Sequence, residues 1–280
     1  MVGTTPKTQA IGVALRRARE DAGLSARQLA TKLAKSHTTI GRWESGERAP
    51  RPVDVATVLS ALGADNSLRE ELVELARNAD GRQWSSSGLP EQQRQLTTLL
   101  EIERTAHRIV SVSPLLVPGL LQTADYARAM MFTAGIPANE VELRVAVRIG
   151  RRDVIAKEKP AHLVAITSES ALRALIGGEE VMSAQLRSLV SHATWSNVDL
   201  RVVPTGTGWH PGLEGPFSVF EYAGKSVVHV ENRVSGQFFH ELADVTAYAD
   251  AIATITDVAL SQEESARLIA EILDEQEETS

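Results

Sequence analysis

Residues 24–52 read LSARQLATKLAKSHTTIGRWESGERAPRP and contain the signals of two short helices joined by a tight turn. Ser25 is a favourable N-cap residue, and Gln28 follows it at the spacing of a capping box. Ser36 is a second N-cap residue, and Gly46 ends the second helix. The segment therefore predicts a helix-turn-helix pair.

Apolar residues recur at intervals of three and four on both sides of this pair. Ile11 and Leu15 form such a stripe before it, and Leu59 and Leu72 form stripes after it. Trp43 has the same spacing, so we assign it to the core. The expected helices of this all-α, five-helix head span about residues 8–22, 25–35, 36–44, 52–62 and 67–78.

Charge is unevenly distributed along the chain. The net charge is −7, but residues 1–52 carry ten Lys or Arg and four Asp or Glu, a net +6, which leaves −13 for the remainder. A basic segment attracts a polyanion, and an acidic segment is repelled by it.

The segment resembles the helix-turn-helix pattern of the XRE family of DNA-binding regulators. Gly41 departs from that pattern, which has a different small residue before the arginine. The resemblance implies a head that binds double-stranded DNA. It is carried by Leu24, Ser25, Leu29, Ala30, Ser36, Thr39, Ile40, Arg42, Glu44, Gly46, Arg48 and Pro50.

In such a domain the second helix of the pair lies in the major groove with its N-terminal residues at the base edges. Arg42 is predicted to donate paired hydrogen bonds to a guanine, and His37 and Thr38 are shorter readers. A solvated surface residue is the alternative interpretation of Arg42 and of His37. The expected DNA-contacting residues, including phosphate contacts, are Gln28, Lys32, Lys35, Ser36, His37, Thr38, Thr39, Arg42 and Arg48.

Glu44 is acidic, which makes it an unfavourable neighbour for phosphate. In the fold that the segment resembles, an arginine of the first helix pairs with this residue. Arg19 occupies that position here. The resemblance therefore implies a partly buried structural ion pair between Arg19 and Glu44.

Glycine, serine and proline dominate residues 78–90, which is typical of a linker. We expect a helix-turn-helix domain over 1–80, a linker over 81–90 and a regulatory domain over 91–280. The acidic tail 274–280 is expected to fray.

The last domain combines helical spacing, which extends over 91–110, with short apolar runs, so the chain is predicted to be α+β overall. The predicted strands are 163–167, 198–203, 217–222 and 227–231.

Residues 117–123 (VPGLLQT) and 126–129 (YARA) resemble the signature of an actinobacterial domain of WhiJ-like, antitoxin-like regulators. Further matches lie at 181–186, 215–217 and 259–265, and the likeness covers roughly 90–273. It implies that the domain binds a small protein encoded by a neighbouring gene. A small-molecule effector is the alternative, and core packing is the favoured interpretation of Leu120, Leu121, Tyr126 and Met130.

No catalytic, cofactor or metal site is indicated. The chain has no cysteine, which excludes disulfides and thiolate sites. Pro211 and Gly212 break the helix that a zinc pattern at His210 needs. A spatial cluster is conceivable for His229, Glu231, His240 and Glu241, but scattered residues of these types are more often surface or satisfied core residues.

No run of 18 apolar residues and no secretory signal is present, so no membrane span is expected. We therefore expect a cytoplasmic homodimer that is not an enzyme and that binds a palindromic operator.

Overall fold

The computed structural model describes residues 5–77, 83–85, 89–232 and 236–279. They form two compact units, one of Met1–Ile102 with Glu231–Glu241 and one of Glu103–Val230 with Leu242–Ser280. The first begins with a helical region, and the second combines a mixed sheet with helices. The predicted α+β class is confirmed.

The helical region of the first unit begins and ends its helices at the residues that local capping favours. Thr5 and Ser25 each form a capping box, and Gly63, with φ +72°, ends the fourth helix. The second helix ends three residues earlier than predicted because Ala34 takes a left-handed conformation with φ 50°. The helices are α1 Pro6–Asp21, α2 Ala26–Lys32, α3 His37–Glu44, α4 Pro52–Leu62 and α5 Asn66–Arg77.

The remaining described elements follow in chain order. The strands are β1 Gln83–Ser85, β2 Arg108–Ser113, β3 His162–Ser168, β4 Val198–Val203, β5 Phe217–Tyr222, β6 Lys225–Glu231 and β7 Gly236–Phe239. The helices are α6 Leu89–Thr105, α7 Ala124–Thr133, α8 Ala138–Gly150, α9 Asp153–Ala156, α10 Glu169–Arg173, α11 Glu179–His192, α12 Leu242–Val258 and α13 Gln262–Thr279.

Several elements, β7 among them, differ from the sequence-based expectation. β1 lies within the predicted linker and pairs antiparallel with β7 in the first unit. β2 occupies the end of the stretch that was expected to be helical. The acidic tail continues α13, because Arg173 pairs with Glu275 at 2.6 Å and Arg187 pairs with Glu277 at 2.8 Å.

The sheet of the second unit is parallel in its centre. β2 and β4 flank β3 in parallel, and β5 and then β6 extend the sheet antiparallel from β2. Five consecutive residues of β3 are buried, as expected for a parallel strand covered on both faces. The carboxyl ends of β2, β3 and β4 therefore meet at one edge of the sheet.

Side-chain amides hold the turn that leads into α7. The Gln122 Nε2 group donates to the Val117 carbonyl at 2.8 Å. Gln185 donates to the Leu121 carbonyl at 2.9 Å and accepts from the Thr123 amide at 2.7 Å. Tyr126 accepts from the Val117 amide at 3.2 Å, and burial raises the pKa of its hydroxyl. The residues of the 117–123 signature and Gln185 thus form one hydrogen-bonded structure.

Candidate nucleic-acid interface

α3 has a buried face and an exposed face. Ile40, Trp43 and Glu44 are buried. The exposed positions His37, Thr38, Gly41, Arg42 and Ser45 recur at helical spacing. The structure therefore gathers four of the residues singled out in the sequence on one solvent-facing stripe.

Arg42 projects from this stripe with its side chain 58% exposed. Its Nε lies 3.6 Å from a carboxylate oxygen of Glu47, whose side chain is equally open to solvent. An exposed ion pair of this kind contributes little free energy. The guanidinium can therefore exchange Glu47 for another acceptor at low cost.

The serine caps fix the N-terminal ends of α2 and α3. The Ser36 hydroxyl accepts from the Thr39 amide at 3.1 Å and lies 2.8 Å from the Thr39 hydroxyl. Gln28 accepts from the Ser25 amide through Oε1 at 2.8 Å. These polar side chains are exposed or half-buried at helix N-termini, where backbone amides favour anions.

The basic residues predicted near phosphate divide into two groups. The Lys32 ammonium donates to the Ala61 carbonyl at 2.5 Å. Lys35 lies 3.5 Å from the Asp54 carboxylate and 5.9 Å from the centre of the Trp43 ring. These lysines therefore contact α4 or the core, whereas Arg48 is exposed in the turn after α3.

Arg19 and Glu44 form a buried, two-pronged ion pair. The Arg19 Nε donates to Oε1 of Glu44 at 2.7 Å, and a terminal nitrogen donates to Oε2 at 2.9 Å. The side chains are 10% and 8% exposed. The remaining terminal nitrogen of Arg19 donates to the Leu24 carbonyl at 2.7 Å. The bond to Glu44 raises the pKa of Arg19.

Two residues of this arrangement, Gly12 and Arg16, were not predicted from the sequence. A Cβ on Gly12 would lie 2.5 Å from the Trp43 carbonyl oxygen and 2.8 Å from that of Glu44. Arg16 donates to the Glu44 carbonyl at 3.0 Å. The signal that could have indicated Gly12 is a glycine inside a helical pattern, which lowers helix propensity and therefore points to a packing role.

Among the residues that the structure describes, no three His, Asp or Glu side chains are grouped as a metal site requires. His229 is buried in β6, where desolvation, together with the charge of Arg151, lowers its pKa to about 4. None of the described helices has the length and apolar character of a membrane span.

Two known families match the chain. The family described as a helix-turn-helix domain matches residues 10–72, which cover most of α1, all of α2 to α4 and the first part of α5. The family described as a domain of unknown function (DUF5753) matches residues 96–271. No curated protein matches the chain. The helix-turn-helix match indicates a DNA-binding regulator.

Replacing Glu44 with alanine is expected to destabilise the head by about 3 kcal/mol, because the buried Arg19 charge loses its two-pronged partner and keeps the more distant Glu20 carboxylate at 3.4 Å. The measurement is urea-dependent hydrogen exchange of the amides of residues 5–77 in the full chain.

Glu47→Ala is the matched control, since the Glu47 side chain is 65% exposed. Its effect should stay below about 0.5 kcal/mol. Equal effects of the two variants would contradict a stabilising role for the buried pair.

Proposed function

The chain belongs to the family described as a domain of unknown function (DUF5753), and we propose that it is a sequence-specific transcriptional regulator of the XRE helix-turn-helix type, with a WhiJ-like, antitoxin-like second domain. The observation that carries the proposal is the exposed stripe of α3, backed by a rigid buried face. We propose regulation, not catalysis, as its activity.

Base reading is assigned to the exposed stripe. The fork of the Arg42 guanidinium matches the O6 and N7 acceptors of guanine. His37 and Thr38 stand near the N-terminal end of α3, where a recognition helix approaches the bases. Gly41 lies between them and Arg42 and has no side chain to hold the helix away from the groove.

Phosphate contacts are assigned to the rim of this stripe. Gln28, Ser36 and Thr39 lie at helix N-termini, whose amides attract anions. Lys32, Lys35 and Arg48 add positive charge that acts on any sequence. This assignment separates residues that position the head from those that select bases.

A homodimer on a palindromic operator follows from the size of the head. One recognition helix covers about half of a typical site, and paired heads read half-sites about one helical turn apart. Two-fold symmetric protein assemblies match such inverted repeats. We therefore propose two copies of this chain on each operator.

Arg42→Ala is expected to cost about 1–3 kcal/mol on the preferred operator and to relax selection at one base pair of each half-site. The measurement is selection of bound duplexes from a randomised library, followed by titration of the selected sequence and a scrambled one. The wild-type selection should yield an inverted repeat.

The matched control is Arg48→Ala, which removes the same side chain outside the α3 stripe. It should weaken all sequences about equally and reduce the salt slope by about 1. If Arg42→Ala also weakens selected and scrambled DNA equally, Arg42 does not read a base.

Gly41→Ala is expected to change the stability of the head and its affinity for the operator in opposite directions. A Cβ at Gly41 meets nothing within 4 Å, so alanine should stabilise the head by about 0.5–1 kcal/mol. The same methyl group would hold α3 off the base edges, so operator affinity should fall about tenfold. Thermal unfolding and DNA titration measure the two effects.

Gly150→Ala is the control, because a Cβ there also meets nothing within 4 Å and Gly150 lies at the end of α8. It should leave operator affinity unchanged. A Gly41→Ala protein that binds the operator as tightly as the wild type would contradict docking of this stripe in the groove.

For the second domain, the resemblance favours a small partner protein encoded by a neighbouring gene. Large apolar side chains of this unit are open to solvent, and such surface favours protein contacts. They include Leu115 at 74%, Trp209 at 73% and Leu213 at 60% exposure. The net acidic charge beyond residue 52 disfavours contact with DNA.

The partner protein, added to the full chain, should protect amides within residues 103–230 or 242–279 from hydrogen exchange and leave those of 5–77 unchanged. It should also change operator affinity by about 5- to 150-fold, the usual range of coupling between two sites. Protection confined to 5–77, or unaltered operator affinity at saturating partner, would contradict this role.

A small-molecule effector is the second candidate for this domain. The observation in its favour is a partly enclosed cavity of about 130 Å³ within the second unit.

A further inference from the structure

We propose that the cavity in the second unit binds a small, neutral, amphipathic molecule. Such a molecule has one compact alkyl or aryl group and a single hydroxyl or carbonyl that hydrogen-bonds to His210. The inference rests on the second candidate function and gives its ligand a chemical class.

The cavity lies where the three parallel strands end. Its walls include Val112 near the end of β2 and the last residues of β3 and β4, and ligands of sheets with parallel strands commonly bind outside the carboxyl ends of those strands. Its volume of about 130 Å³ approaches the roughly 150 Å³ of an apolar cavity that admits benzene. The apolar side chains that line it are Val112, Leu115, Ile166, Val203, Leu213 and Ile255.

The polar side chains of the cavity, apart from His210, are engaged with the protein. Thr167 donates to the Ser113 carbonyl at 3.0 Å. Ser168 donates to the Pro114 carbonyl at 2.5 Å and lies 3.1 Å from the Ser170 hydroxyl. No Asp, Glu, Lys or Arg is among the described residues of the lining. A neutral ligand therefore fits, because an ion would be desolvated without a compensating charge.

His210 is the lining residue whose side chain has a polar atom without a hydrogen-bond partner in the described part of the chain. It is 5% exposed, and its Nδ1 is buried with no hydrogen-bond partner among the described residues. A buried polar atom without a partner is costly, so such atoms are uncommon without a reason. A hydroxyl or carbonyl on a bound molecule would satisfy this nitrogen.

Gly212 makes room for the His210 ring. A Cβ on Gly212 would lie 2.9 Å from both Nδ1 and Cε1 of that ring and 3.5 Å from the terminal methyl of Ile255. The loop residue that faces the ring is therefore one without a side chain. Substitution here displaces the ring while leaving the apolar strand ends in place.

The test uses phenol and toluene, which have nearly the same shape and differ in the hydroxyl. Each is titrated into the full chain with ¹³C-labelled isoleucine methyl groups. Saturable shifts are expected for the methyls of Ile255 and Ile166, and no shift for Ile11 in the first unit. Phenol should bind about tenfold more tightly than toluene, since it alone can hydrogen-bond to His210.

Two variants and one control locate the hydrogen bond. His210→Phe should remove the preference for phenol while toluene still binds. Gly212→Ala should weaken phenol at least about tenfold by displacing the ring. Gly208→Ala, in the same loop where a Cβ meets nothing within 4 Å, should bind phenol as the wild type does. Thermal unfolding verifies that each variant is folded.

The proposal is overturned if neither probe gives saturable shifts at Ile255, if phenol and toluene bind the wild type equally, or if Gly208→Ala weakens phenol as much as Gly212→Ala. Because the readout is ligand binding and not DNA binding, a negative result leaves the helix-turn-helix proposal unaffected.

Discussion

The helix-turn-helix head depends on the contact between α1 and the end of α3. Gly12 leaves no space for a side chain between these helices, so α3 is held by backbone contact as well as by its apolar face. Arg19 then satisfies both carboxylate oxygens of Glu44 and also bonds to Leu24. A buried ion pair is tolerated only when its hydrogen bonds are met in this way. The inner face of α3 is thus fixed in rotation, which leaves its outer stripe at a defined angle.

Hydrogen bonds of buried polar groups also fix the structure of the second unit. Gln122 and Gln185 form hydrogen bonds with backbone groups of the turn before α7. The Ser265 hydroxyl accepts from the Val202 amide of β4 at 2.9 Å. Burying an amide without such partners is costly. The signature residues before α7 therefore stabilise the fold, and the proposed ligand site depends chiefly on His210 and Gly212, which lie outside the signature. A family signature and a ligand site need not coincide.

The head was predictable because its signals are local. Ser25 and Ser36 mark helix starts within four residues of sequence. The Arg19–Glu44 contact was predicted from the resemblance to the XRE pattern. β2 was not predicted, since its apolar run follows α6 almost directly and its partners β3 and β5 come much later in the chain. The prediction that the acidic tail frays was wrong for a similar reason. The arginines that pair with the tail, Arg173 and Arg187, lie about a hundred residues before it in the chain. A cavity formed by three strand ends and a loop has no local signal at all.

The charge distribution constrains how such a regulator works. Phosphate attraction must come from the basic first 52 residues, because the remainder carries a net −13 and is repelled by DNA. Lys32 and Lys35 also have contacts within the head, which makes these two cations less available to phosphate. One head therefore supplies only part of the affinity of a specific site, which favours two heads acting together. If two heads bind together as proposed, operator affinity is steeply sensitive to their pairing, and this sensitivity would give the proposed occupant of the second domain a physical route to control DNA affinity.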